Sequence, residues 1–166
     1  SMIFKNWNAL ILITSIISIS TALIAEFIFN LQPCELCLKQ RNPYYFMIFI
    51  SILIYLVPVS YKFLGYLLIQ LSAIYGLFYA IWHVGVENNL LSGPSGCSAS
   101  LDITENVSDL KQQILSKQVI SCDEVIWSLF GFSAASINAL VLLFIFIINA
   151  IYIYNNYDQK KEKKSI

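Results

Sequence analysis

The chain has 166 residues, of which 58% are hydrophobic and 12% charged, and its formal net charge is zero. This composition excludes an ordinary soluble domain. The length suits one domain, and we predict a single integral membrane domain over residues 2–166.

Four apolar stretches are long enough to cross about 30 Å of hydrocarbon as helices. We predict spans over residues 7–29, 44–59, 63–83 and 126–154, and within them only Glu26 and His83 belong to the Asp, Glu, Lys, Arg or His types. Because unpaired backbone groups are not tolerated in lipid, the predicted fold is an all-α membrane protein, a bundle of four transmembrane helices.

Basic residues predict the orientation of this bundle. Four lysines lie close to the C-terminus, Lys5 precedes the first span, and Lys62 lies between the second and third spans. Positively charged segments favour the cytoplasmic side, so both termini are predicted there. The loops over residues 30–43 and 84–125 then lie on the opposite side, where disulfides persist.

The first outer loop carries the sequence Cys34-Glu35-Leu36-Cys37. This spacing is typical of redox-active thiols. A disulfide between such near neighbours closes a very short loop and contributes little stability. We therefore favour thiol redox chemistry over the alternative of structural disulfides that brace the outer loops.

Arg41 is the only arginine, and it follows Cys37 by four residues. If a helix begins near Cys37, both side chains lie on one face, and the cation favours the Cys37 thiolate or hydrogen-bonds a ligand carbonyl. The alternative is an interfacial arginine that extends its charge towards water. His83, the only histidine, is either a ligand-facing donor or an interfacial polar group.

The second outer loop contains the other two cysteines, Cys97 and Cys122. Between them, Asp102 and Glu105 have the spacing of a helix-capping pair. Apolar residues then recur at helical spacing up to Ile114, which predicts a short amphipathic helix. It lies either flat on the membrane or as a packed cap over the bundle.

The segment from Pro33 to Arg41, the later cysteine pair and the segment from Trp127 to Gly131 together resemble the DsbB family of bacterial inner-membrane disulfide oxidoreductases, including its DsbI branch. The resemblance covers nearly the whole chain. It implies that the protein reoxidises a periplasmic thioredoxin-fold partner, DsbA-like, and passes the electrons to an exchangeable membrane quinone, either ubiquinone or menaquinone. It also implies cysteines on the periplasmic side. We expect no nucleic-acid partner and no resident metal.

The same resemblance implies roles for the cysteines. Cys34 and Cys37 become the quinone-coupled pair, with the Cys37 thiolate against the quinone ring. Cys97 forms the mixed disulfide with the partner, and Cys122 pairs transiently with Cys34.

The resemblance also bears on three polar residues. Arg41 assists at the quinone, and His83 falls near a family histidine that is linked to the quinone pocket. Gln40 stands where some members carry Glu, so an acidic group beside the arginine is not carried over.

Two other classes of protein fit the sequence less well than a DsbB-like disulfide oxidoreductase. A metal site with all four cysteines is disfavoured because zinc frameworks usually use two closely spaced pairs, and Cys97 and Cys122 are far apart. An enzyme of the vitamin K epoxide reductase type carries its ring-facing C-x-x-C late in the chain, whereas here the C-x-x-C follows the first predicted span. That class is therefore disfavoured. Four cysteines allow three pairings, and the sequence leaves the resting one open.

Overall fold

The computed structural model describes the backbone of residues 6–94 and 122–164, and the side chains of the same segments as far as residue 157. Four helices form the described part: α1 (Trp7–Phe27), α2 (Glu35–Leu56), α3 (Val59–Glu87) and α4 (Ala134–Lys164). The helix predicted between Asp102 and Ile114 lies outside the described residues, as does Cys97.

A short antiparallel hairpin precedes the last helix, with β1 (Ser128–Leu129) paired to β2 (Phe132–Ser133). Its two turn residues, Phe130 and Gly131, have φ values of 51° and 83°. Positive φ at both central positions suits the right-handed twist of the two strands. The hairpin replaces the first residues of the predicted fourth span, so α4 begins at Ala134.

The prediction of an all-helical membrane protein is confirmed. Among the described residues, α1, α3 and the Ala134–Tyr157 part of α4 are long and apolar enough to cross a membrane. Helix α2 does not reach that level, because its first two turns carry Glu35, Lys39 and Arg41. A fourth span stays a prediction.

Helix α2 begins nine residues before the predicted second span. A proline is often found at a helix boundary. Helix α2 nevertheless runs through Pro43, which removes only one backbone hydrogen-bond donor. The helix begins at Glu35 because Cys34 is extended and its sulfur accepts a hydrogen bond from the backbone N–H of Cys37. This difference places the whole C-x-x-C-x-x-x-R segment at the start of a helix.

The helices pack in chain order, α1 on α2, α2 on α3 and α3 on α4. Gly76 of α3 permits the close approach, since a Cβ there would lie 2.8 Å from Cδ1 of Leu142 and 2.9 Å from Cγ of Pro43. Helices in lipid associate through such small residues and through hydrogen bonds rather than through hydrophobic burial.

Asn149 ties three helices together at the end remote from the cysteines. Its side-chain oxygen accepts from Nε1 of Trp7 at 3.0 Å. Its amide nitrogen donates to the carbonyl of Tyr66 at 3.0 Å and to Oε1 of Gln70 at 2.8 Å. The cysteine pair lies at the other end of the bundle, which these hydrogen bonds do not cross-link.

Candidate functional site

The C-x-x-C pair lies at the N-terminus of α2. Cys34 precedes the helix and is buried, whereas Cys37 lies in its first turn and is half-buried. Both are free thiols, and their Sγ atoms are 2.9 Å apart. The backbone N–H of Cys37 also donates to Cys34 Sγ, at 3.3 Å. The positive end of a helix favours a thiolate at this position.

The surroundings make Cys34 the more acidic thiol. Its hydrogen bond with the Cys37 thiol lowers the pKa of Cys34 from 9.0 to about 4; burial opposes the change, and His83 adds to it. The charge of Arg41 lowers the pKa of Cys37, the direction predicted from the sequence, but the hydrogen bond with Cys34 and burial raise it by more. Cys34 is therefore the more acidic thiol, because the backbone N–H and the thiol of Cys37 both lie against its sulfur.

His83 is buried beside the cysteine pair. Its Nδ1 lies 2.7 Å from Nε2 of Gln40, and its own Nε2 lies 3.7 Å from Cys34 Sγ. An amide nitrogen only donates, so Nδ1 accepts and the ring proton is on Nε2. The Nε2–H group thus points to the sulfur, with Glu87 Oε1 at 3.9 Å.

Gln40 is held by a chain of hydrogen bonds that reaches α4. Asn138 Nδ2 donates to Gln40 Oε1 at 2.6 Å, and the Tyr44 hydroxyl donates to Asn138 Oδ1 at 2.5 Å. Gln40 Nε2 also donates to the carbonyl of Leu36 at 3.2 Å. Gln40, Asn138 and Tyr44 therefore fix the ring of His83, and sequence reasoning missed this role. A polar residue such as Asn138 within an apolar span was the available signal.

Arg41 forms an ion pair with Glu26 near the end of α1, with Nη1 and Oε2 2.5 Å apart. Its Nη2 also donates to the carbonyl of Ala22 at 3.4 Å. Both charged side chains are largely buried. Arg41 is thus an interhelical residue and not a surface anchor. Glu26 is the one acidic residue within the predicted spans, but its ion pair with Arg41 was not predicted from the sequence.

A cavity of about 290 Å³ lies between α1 and α4, next to the cysteine pair. Its walls are mainly apolar and include Ile17, Ala22 and Val141. Its polar lining consists chiefly of Cys37, Gln40, Arg41, Tyr44, His83 and Asn138. A small apolar cavity with a few converging polar groups is typical of a ligand site.

Cys122 lies on the other side of the pair. It is buried, disulfide-bonded, and part of one buried cluster with Cys34, Leu36 and Val86. Cys34 belongs to the cluster that contains Cys122, whereas Cys37 packs against that cluster and also lines the cavity. The C-x-x-C pair thus contacts both the cluster that contains Cys122 and the cavity.

A protein-family model, Disulfide bond formation protein DsbB, matches residues 4–152. The chain belongs to the DsbB family. DsbB membership makes it a membrane disulfide oxidoreductase, and the resemblance seen in the sequence is confirmed. The DsbB signal covers α1, α2, α3, the hairpin and most of α4, so it includes the whole site.

Two relatives are similar to the chain over most of its length, and one of them carries the DsbB name. The chain is 30% identical over 148 residues to an uncharacterized protein of Rickettsia prowazekii, which covers 87% of this chain and 86% of that relative. It is 28% identical over 146 residues to Disulfide bond formation protein B of Mannheimia succiniciproducens, which covers 86% of this chain and 81% of that relative. No solved structure matches the chain.

Within this DsbB site the structure brings together most of the residues that the sequence singled out. Four of these residues lie close together at one end of the bundle: Cys34, Cys37, Arg41 and His83. Cys122 lies beside Cys34. Their individual roles in electron transfer stay predictions.

Proposed function

We propose that this DsbB protein reoxidises a DsbA-like thioredoxin-fold dithiol on the periplasmic side of a bacterial inner membrane and passes the electrons to membrane quinone. The observation that carries the proposal is the position of the C-x-x-C pair. Cys34 shares a buried cluster with the disulfide-bonded Cys122, and Cys37 lines an apolar cavity. A thiol relay between a protein partner and a lipid-soluble acceptor needs those two contacts.

The cavity fits the head of a quinone. Its apolar walls on α1 and α4 suit a hydrophobic ring and tail, Arg41 supplies N–H donors for a carbonyl oxygen, and the His83 ring lines the same space. When bound, the quinone accepts two electrons and two protons and leaves as the quinol. Arg41 and His83 would hold it, and Cys37 is the sulfur of the pair that lines its site.

The thiol chemistry then proceeds by disulfide exchange. A partner thiolate attacks Cys97 of a Cys97–Cys122 disulfide and releases the Cys122 thiolate. Cys122 attacks Cys34 of the Cys34–Cys37 disulfide, which gives a Cys34–Cys122 disulfide and frees Cys37. Each step forms one S–S bond and breaks another, so no electrons are lost.

Two further exchanges complete the transfer. The second partner thiol resolves the mixed disulfide and leaves the partner oxidised. Cys97 then attacks Cys122 and releases Cys34 as a thiolate. A thiol with a low pKa is a fast leaving group, and the pKa of Cys34 is about 4.

The Cys34–Cys37 dithiol returns to the disulfide when the Cys34 thiolate closes on the Cys37 sulfur while two electrons and the Cys37 proton pass to the acceptor. The second proton that the acceptor needs would come from solvent. The free thiols of Cys34 and Cys37 and the disulfide at Cys122 are the state that precedes this last step. Over one cycle the partner is oxidised and the quinone reduced.

The test follows reduction of a soluble quinone analogue by a reduced DsbA-like protein, with the purified full chain in detergent. Cys37→Ser should abolish quinone reduction, and Cys97→Ser should block oxidation of the partner while quinone still oxidises the Cys34–Cys37 pair. Ser60→Ala, an exposed position at the far end of the bundle, is the matched control. Wild-type turnover in Cys37→Ser would refute the proposal.

Orientation is tested separately with a reporter that is active only in an oxidising compartment. Fused after Ile166 it should be silent, and inserted near residue 108 it should be active. The reverse pattern would place the cysteines in the cytoplasm and contradict the proposed route of electrons.

A further inference from the structure

We propose that Cys34, Cys37 and His83, with the cysteines reduced, form a three-ligand site for a soft divalent cation such as Zn²⁺. The inference goes beyond the proposed function, because such a site needs two thiols and an imidazole but neither quinone nor partner. Among the described residues, Sγ of both cysteines and a ring nitrogen of His83 all lie within 4.8 Å of one another.

The distances suit tetrahedral zinc. Zn–S bonds near 2.3 Å and Zn–N bonds near 2.0–2.1 Å separate ligand atoms by about 3.5–3.8 Å. Cys34 Sγ and His83 Nε2 are already 3.7 Å apart. The two sulfurs are 2.9 Å apart and must separate by about 0.9 Å, a shift within reach of a small χ1 rotation at Cys37.

The charges at the site also suit a divalent ion. With both cysteines as thiolates, the pair of negative charges neutralises the divalent ion, so a buried net charge is avoided. The nearby cation, Arg41, is paired with Glu26 and does not stand as an uncompensated positive charge. Glu87 Oε1 lies 3.9 Å from His83 Nε2 and adds a carboxylate just outside the ligand set.

The fourth coordination position would face the cavity. Cys37 and His83 both line it, and its volume of about 290 Å³ accommodates a water molecule or a small ligand. Three protein ligands with one open position are the arrangement of catalytic rather than structural zinc. A bound ion would reach the site through the space next to Cys37.

Ligation requires the lone pair of His83 Nε2, so the ring proton must move to Nδ1. Gln40 permits this if its carboxamide turns over, presents Oε1 to Nδ1–H and gives up its hydrogen bond to the Leu36 carbonyl. Asn138 can turn in the same way and keep its bond to Gln40. An acceptor on the second nitrogen fixes a metal-bound histidine and strengthens its binding.

The consequence is competition between metal and electron transfer. With both sulfurs bound to the ion, neither attacks a disulfide or closes the Cys34–Cys37 bond. Oxidation of the pair removes the thiolates and releases the ion. A soft divalent cation would therefore inhibit the reduced protein and not the oxidised one.

The test is a titration of the reduced full chain with Cd²⁺ and Zn²⁺, without quinone or partner, in a Cys97→Ser/Cys122→Ser background. Cadmium–thiolate absorbance should report one ion per chain, and X-ray absorption of the zinc form should show two sulfur neighbours and an imidazole. Cys34→Ser and Cys37→Ser should abolish binding. His83→Ala and His83→Gln should weaken it at least tenfold and remove the imidazole signal, while Lys62→Ala should change nothing.

Two results would overturn the proposal: no one-to-one binding in the reduced background, or binding that both His83 variants leave unchanged. If the background variant does not fold, loss of one ion between the reduced wild type and Cys34→Ser gives the same answer. Quinone reductase activity, measured with a chelator present, is a separate readout. Failure of the metal site and failure of the proposed function are thereby distinguished.

Discussion

The Nδ1 atom of His83 lies 2.7 Å from the side-chain nitrogen of Gln40, and this contact determines which ring nitrogen faces the cysteine pair. The Nε2–H group is left to point at Cys34 Sγ, 3.7 Å away. Asn138 fixes Gln40 in turn, at 2.6 Å. The acidity of one thiol at the start of α2 therefore depends on side chains from α2, α3 and α4.

Replacing His83 by Phe should raise the pKa of Cys34, because the thiolate loses a hydrogen-bond donor. A hydrogen bond to a charged group contributes about 1.5–3 kcal/mol, and the 3.7 Å contact is long, so we expect a rise of about one unit. The measurement is the rate of alkylation of Cys34 against pH in the reduced Cys97→Ser/Cys122→Ser protein. Asn88→Ala, one turn away and exposed, should leave the titration unchanged. An unshifted curve in His83→Phe would exclude the ring as a partner of the thiolate.

The reduced protein should lose stability as the pH falls. The pKa of Cys34 is lowered from 9.0 to about 4 on folding, so its contribution is complete above pH 9 and is lost progressively towards pH 4. Thermal unfolding of the reduced protein, followed by circular dichroism between pH 5 and 8, should give a Tm that rises with pH. In Cys34→Ser that rise should be smaller. Equal slopes in the two proteins would contradict a depressed pKa at this residue.

Changes at Arg41 should weaken quinone binding more than thiol exchange. Arg41→Lys keeps the charge but loses the planar donor fork that pairs with Glu26, and Arg41→Ala loses both. Loss of a charged hydrogen bond predicts a KM for quinone raised roughly tenfold to a hundredfold, with Ala worse than Lys. Glu26→Gln should act in the same direction through a loosened guanidinium. Quinone titrations decide it, and an unchanged KM in both Arg41 variants would move the quinone site elsewhere.

Gly76→Ala should destabilise the bundle. The new methyl group would meet Leu142 at 2.8 Å and the rigid ring of Pro43 at 2.9 Å, and overpacking of this kind costs about 1–3 kcal/mol. Gly85→Ala is the matched control on the same helix, since its methyl group would meet only the flexible Leu91 side chain. Unfolding in detergent by a denaturant series should separate the two variants. Equal stability would mean that α3 can move away from its neighbours at little cost.

The sequence predicted the helices and the reactive cysteine pair well, because both depend on local patterns. Long apolar stretches predicted α1, α3 and α4, and the C-x-x-C spacing predicted adjacent thiols. The predicted second span, residues 44–59, begins after Pro43, whereas α2 already begins at Glu35, close to the helix start considered near Cys37. The hairpin between Ser128 and Ser133 was missed because its apolar residues extend the pattern of the last helix.

The polar contacts of the site could not be predicted from the sequence, for a different reason. Asn138 and Gln40 are 98 positions apart, and Arg41 and Glu26 meet only because α1 and α2 pack side by side. No periodicity records such a contact. The choice of Cys34 over Cys37 as the thiolate likewise depends on hydrogen-bond directions that only the folded chain defines.

Asn149 has a consequence for the order in which the protein is made. The indole N–H of Trp7 is almost completely buried, and its acceptor is synthesised 142 residues later. At a translation rate of about 5–20 residues per second, the first helix waits on the order of ten seconds for that partner. A nascent chain cut short before Asn149 would lack the acceptor that pairs this indole N–H in the folded bundle.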